Sequence, residues 1–229
     1  MSSVIKSVSS QDTFIPRRMN RRFIYVVDNA TTTDEIGEVL ANDISGGTAT
    51  WAGPSADDGA GATLLSGAVL NNHFFVNTQL NYRAGRLVEA YIRLRFLTAA
   101  DAANARLWFG FTDQLGSVMA AADDPAGNYA AFRSTGGVDT NWRCCVKDAV
   151  TQNPQDSGVV VGIVKTILGV REVSAGIWQF LIDGVIRQTL SVNAPAPGTN
   201  LRITYGIRNI VGAPTRQVHV GRLYIASDD

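Results

Sequence analysis

The chain has 229 residues, with 20 lysines and arginines balanced by 20 aspartates and glutamates, and only 17% of its residues are charged. That length suits one large β domain or two small ones, and zero net charge disfavours nucleic-acid binding through a general electrostatic field. The two cysteines, Cys144 and Cys145, are adjacent and so point to opposite sides of a strand. This excludes a secreted scaffold held by disulfides.

Residues 1–22 are polar and basic, with Lys6, Arg17, Arg18, Arg21 and Arg22 against the single acid Asp12. They read either as a solvated terminus or as an arm that docks on an acidic neighbour. The segment has no apolar core of the kind a secretory signal carries, and no run reaches the roughly 18 apolar residues of a membrane span. The expectation is a protein made in a reducing compartment, with no membrane partner. FIYVVD (Phe23–Asp28) reads as a strand. Thr33 then predicts a capped short helix over DEIGEVLAND, with Ile36, Val39 and Leu40 on one face. Residues 45–68 are rich in Gly, Ala, Ser and Asp, the composition of a loop. The chain therefore divides into a basic arm (1–22), an N-terminal strand, helix and junction (23–68), and a main domain (69–229).

From residue 69 the pattern is strand after strand. Val88, Ala90, Ile92, Leu94 and Phe96 alternate with Leu87, Glu89, Tyr91, Arg93 and Arg95, one apolar face against one polar face. That alternation belongs to an antiparallel sheet with one face packed. Leu107, Phe109 and Phe111 repeat it, as do Trp142, Cys144 and Val146. Trp178, Phe180 and Ile182 run into Asp183–Gly184, a strong hairpin signal because a type I′ turn needs positive φ at both positions. Leu201, Ile203, Tyr205 and Ile207 form another strand, and Val218–Ile225 the last, with Gly221 at an expected bulge. Ten to thirteen strands at this spacing predict an all-β, antiparallel two-sheet sandwich.

Catalytic constellations are missing. There are four glutamates, Glu35, Glu38, Glu89 and Glu172, and only Glu89 sits in a well-defined strand, beside arginines that would lower its pKa. That is the opposite of a glycosidase's general acid, which also needs a second carboxylate close by. His73 and His219 are far apart in sequence, and neither has a nucleophile near it. The cysteines read as one buried and one exposed thiol. No CxxC pair, HExxH or P-loop occurs, so no enzyme activity, metal or cofactor is expected. Asp57–Asp58–Gly59 and Asp123–Asp124 with Asn128 offer oxygen ligands, but such loops are usually solvated turns. Tyr91, Trp108 and Trp142 are the candidates for a glycan platform, although a sandwich core also needs large aromatics.

The order of segments from about residue 69 to 226 resembles the concanavalin A-like (laminin-G-like) jelly roll, in the form found in virion proteins of tailed bacteriophages. The resembling features are the GFTD strand end, the Trp178-x-x-x-Ile182-Asp183-Gly184 hairpin with its following Asn193-x-Pro195 turn, and the terminal strand after a polar loop. The resemblance implies a capsid decoration (cement) protein on the virion surface that bridges major capsid protein subunits, commonly as a homotrimer. On that reading Phe14, Ile15, Arg17, Arg18, Arg21 and Arg22 are the capsid-contact candidates. The alternative is a lectin-like module of a phage tail or fibre that binds glycans through Tyr91, Trp108 and Trp142.

Overall fold

A computed structural model describes residues 20–25, 32–34, 39–55 and 59–227. Seventeen strands and two short helices follow in chain order. The first strands are β1 (Asn20–Tyr25), β2 (Thr32–Asp34), β3 (Val39–Ser45), β4 (Thr48–Ser55), β5 (Gly59–Leu65), β6 (His73–Asn77) and β7 (Tyr82–Arg83). Then come β8 (Glu89–Phe96), α1 (Ala99–Asn104), β9 (Ala105–Thr112), α2 (Gly116–Ala121), β10 (Gly127–Thr135) and β11 (Asn141–Ala149). The chain closes with β12 (Gln152–Val160), β13 (Thr166–Ser174), β14 (Ile177–Ile182), β15 (Val185–Leu190), β16 (Asn200–Asn209) and β17 (Gln217–Ser227).

These strands form the expected concanavalin A-like sandwich of two antiparallel sheets. The first runs β15-β14-β13-β8-β17, and the far side of β17 pairs with β1 at one end and β5 at the other. The second runs β12-β11-β10-β9-β16-β6-β3. β2 links β1 to β3, and β4 pairs with β5 at the margin of the first sheet.

Alternation dictates the core. Ala90, Ile92, Leu94 and Phe96 of the first sheet meet Leu107, Phe109, Phe111, Phe132 and Trp142 of the second, all buried in one cluster. Aromatic rings tie the layers together: Phe132 meets Phe180 edge-on at 5.3 Å between centroids, and Phe111 meets Trp178 at 5.6 Å. Each fully buried Phe contributes roughly 1.5–3 kcal/mol through lost apolar exposure. Asp183 and Gly184 take φ of 52° and 79°, as the predicted turn requires. The register of β17 slips between Val220 and Leu223, placing the bulge at the expected glycine.

Three local expectations fail. The segment read as a helix supplies β2 and β3 instead, because Thr32–Thr33 is β-branched and Val39–Ser45 finds a sheet edge beside β6. The Gly- and Ala-rich stretch read as a loop contains β4 and β5, whose pairing with β17 overrides weak strand propensity. Strands before residue 68 therefore pair into both sheets, and β1 already includes Arg21 and Arg22, opposite Ala226 and Ile225. The strand count is also higher than expected, since several strands have fewer than seven residues.

A third layer covers the second sheet. The segment between β9 and β10 carries α2 across the outer face, where Met119 and Ala120 bury Phe75, Trp108, Tyr129, Ala131 and Cys145. Cys145 is thus buried like Cys144, although the two thiols point to opposite sides of β11.

Candidate functional site

The aromatic candidates separate cleanly. Trp142 lies in the inter-sheet core, stacked on Phe96 and edge-on to Phe132. Trp108 does alternate outward from its strand, but α2 and Tyr129 cover it and Arg133 approaches its ring at 6.0 Å. Neither tryptophan offers a surface platform. Tyr91 alone of the three lies on an outer face with neighbours suited to recognition. Phe14, Ile15, Arg17 and Arg18 fall outside the described residues, as do Asp57 and Asp58.

The outer face of the first sheet is built as two rows. One row crosses four strands as Leu181, Gly169, Tyr91 and Tyr224; the next as Gln179, Arg171, Glu89 and Ala226. Tyr91, Leu181, Tyr224 and Ala226 form a small apolar cluster on this face. Gly169 makes its geometry possible: a Cβ there would fall 2.4 Å from Cδ1 and Cε1 of Tyr91, so the ring lies along the sheet instead of standing from it. The Tyr91 and Tyr224 centroids are 6.1 Å apart, tilted by 41°. Each tyrosine is 8% exposed and Glu89 7%, so they form a floor, with Arg171 and Gln179 half-buried beside it.

Those polar groups are planar. Arg171 donates from Nε and Nη2 to Gln179 Oε1 at 2.9 and 2.7 Å. Tyr91 donates to Glu89 Oε2 at 3.3 Å. Burial pushes the Tyr91 hydroxyl pKa well up and the Glu89 charge pushes it further, so it stays a neutral donor at physiological pH. Arg93 and Arg95, both half-buried, continue the face, with Arg95 opposite His219. A Cβ at Gly221 would fall 2.8 Å from Arg93 Nε, so this guanidinium also lies close against a glycine. A shallow apolar floor bordered by planar donors and acceptors suits the faces and hydroxyls of a sugar.

The acidic groups elsewhere have structural duties. Glu172 is buried and accepts from the backbone N–H of Gly85, Leu87 and Gly176. Asp123 accepts from Arg106 and Thr135, and Asp124 from Lys147 and Tyr129. Among the described residues no group of three metal-ligating side chains comes together. The helices were missed, although Thr98 and Asp101 form a capping box at α1 that the spacing Thr-x-x-Asp signals.

No family description and no curated protein matches the chain. Solved structures do. The ligand-binding domain of botulinum neurotoxin serotype D in complex with N-acetylneuraminic acid superposes with a TM-score of 0.58 at 9% identity, over 90% of this chain and 47% of that one. The endo-β-1,4-glucuronan lyase of the fungus Trichoderma reesei gives 0.55 at 9%, over 81% and 90%. A carbohydrate esterase of the Shiga toxin-encoding bacteriophage phi24B gives 0.53 at 15%, over 82% and 91%. The chain spans about half the length of the toxin domains it matches. At these identities the likeness establishes the fold, a concanavalin A-like jelly roll.

These comparisons correct the reading as a capsid decoration protein. The toxin matches are receptor- or ligand-binding domains and the other two are carbohydrate-acting proteins, not capsid subunits. A major capsid protein partner and a trimer on the virion surface lose their basis with it.

Proposed function

We propose that this domain binds carbohydrate as a lectin-like module, through the outer face of the first sheet. The observation that carries the proposal is the Tyr91–Tyr224 floor bordered by the Arg171–Gln179 pair. The fold adds support, since its solved neighbours include a toxin binding domain holding a sialic acid and two proteins named for carbohydrate chemistry. Fold alone would not suffice, because one jelly roll hosts many functions.

The reading is of binding without catalysis. Hydrolysis by a retaining mechanism needs two carboxyl groups about 5 Å apart. On this face Glu89 is occupied by Tyr91, and the buried Glu172 is held by backbone donors. A glycan array probed with the full chain tests the proposal. Binding to a defined set of glycans, lost in Arg171→Ala, is the expected result; an array with no reproducible hits contradicts it.

A further inference from the structure

The second sheet carries a different row on its outer face, beyond the C-terminal end of α2. Cross-strand register aligns Thr135, Arg106, Arg208, His73 and Ser45 over β10, β9, β16, β6 and β3. Residues directly opposite on one face are near neighbours. Two arginines and a histidine therefore stand side by side.

Within this row Arg106 and His73 have hydrogen-bonding partners, and Arg208 between them has an unpartnered Nε. Arg106 donates from Nε to Asp123 at 3.0 Å and from Nη1 to the Ala120 carbonyl at 2.8 Å. His73 lies 3.3 Å from Asp43 through Nε2 and 3.2 Å from the Asn71 carbonyl through Nδ1. Asp43 in turn accepts from the Ser117 backbone N–H. Arg208, between them, has a buried Nε without a hydrogen-bond partner. Burial and then the Arg106 charge both lower its pKa, yet a guanidinium stays protonated. Arg106 already has Asp123, whereas among the described residues no carboxylate pairs with Arg208, and a half-buried cation is unfavourable unless an anion joins it.

We propose that Arg208, backed by Arg106, is a binding site for a tetrahedral oxyanion, a sulfate or phosphate group, on the sheet opposite the carbohydrate face. The planar fork of a guanidinium matches two oxygens of such a group. His73 borders the site at one side, and the exposed Ser45 closes the row. The anion has two sources with the same chemistry: the free ion, or a sulfate or phosphate ester on a sugar. This site does not rest on the glycan reading, because the two faces share no residue.

The experiment is a titration of the full chain, isotopically labelled and held at constant ionic strength, with inorganic phosphate in one arm and a sulfated disaccharide in the other. The Arg208 Nε–H resonance reports directly on the wild-type protein. The expected result is a saturable shift of that resonance in the wild type; in Arg208→Gln, which lacks it, the backbone amides of residues 106 and 208 are read instead, in both proteins, and apparent affinity falls at least tenfold. Arg202→Gln, a change on the same strand and face, should leave it unaltered. Comparable affinity in both arms identifies the free ion as sufficient; at least tenfold tighter binding of the disaccharide identifies an ester. A linear, unsaturable shift in both arms, or equal affinity in Arg208→Gln, overturns the proposal. Tyr91→Ala separates the sites, since it should abolish glycan recognition on the other face and leave the phosphate titration unchanged.

Discussion

The ring of Tyr91 lies against Gly169 on the neighbouring strand, where a Cβ would fall 2.4 Å from two of its ring atoms. The pair shows how a strand glycine makes room for an aromatic side chain to lie down. Gly169→Ala must push the ring away, at about 1–3 kcal/mol of overpacking. Urea denaturation should show that loss, and glycan binding should weaken with it because the floor of the face is tilted. Unchanged stability would mean that the ring moves freely and does not define the face.

Asp139 anchors the end of the second sheet. Its carboxylate accepts from Arg133 Nε and Nη2 at 2.9 and 3.0 Å, from the Thr135 N–H at 2.9 Å and from Arg143 Nε at 3.2 Å. The Asp139 side chain is 1% exposed and that of Arg133 8%. Asp139→Ala leaves a buried guanidinium uncompensated, and breaking such a pair costs about 3–5 kcal/mol. Chemical denaturation should report a loss of that size.

The alternation of strands was legible because burial on one side enforces period two. Val88 to Phe96, Leu107 to Phe111 and Leu201 to Ile207 all face the core as the pattern predicts. The Asp183–Gly184 turn was legible because few dipeptides tolerate two positive φ values. Two features were hidden for identifiable reasons. β4 and β5 are held by pairing with β17, not by strand-forming side chains. Trp108 was eligible as a surface aromatic by face, and only the crossing of α2 buries it. The site was partly legible: Tyr91 was singled out from sequence, whereas Arg171, Gln179 and Tyr224 join it only through cross-strand register.

The cysteines predict an alkaline instability. Burial pushes the Cys145 thiol up to about 12 from an ordinary value of 9.0, and burial raises Cys144 as well. Between pH 9 and 12 the unfolded chain loses these protons while the folded one keeps them, so stability falls as pH rises. The slope is about 1.4 kcal/mol per pH unit for each thiol. Denaturation midpoints measured at pH 8, 9 and 10 should decline accordingly. At pH 8 neither thiol of the folded protein should react with a disulfide reagent, and both should react after unfolding.

Asp43 predicts the acid side. Burial raises its pKa, but hydrogen bonds from Ser117 and His73 outweigh that and hold the carboxyl below 3.8. Its contribution is present above the unfolded value and lost as pH falls through the lower folded one. Asp43→Ala should therefore destabilise the protein at neutral pH and flatten its acid limb below about pH 4. It should also loosen α2, whose Ser117 N–H lies 2.6 Å from the carboxylate. Hydrogen exchange over Gly116–Ala121 checks the second effect.

The central claim is that the first sheet's outer face recognises sugar. The most direct measurement is an NMR titration of the labelled full chain with the strongest glycan from the array, read residue by residue. The account predicts saturable shifts concentrated on Tyr91, Arg171, Gln179 and Tyr224, together with at least tenfold weaker binding in Tyr91→Ala. Shifts confined to the second sheet or to the loops at the ends of the sandwich, with Tyr91→Ala binding as the wild type does, would contradict it.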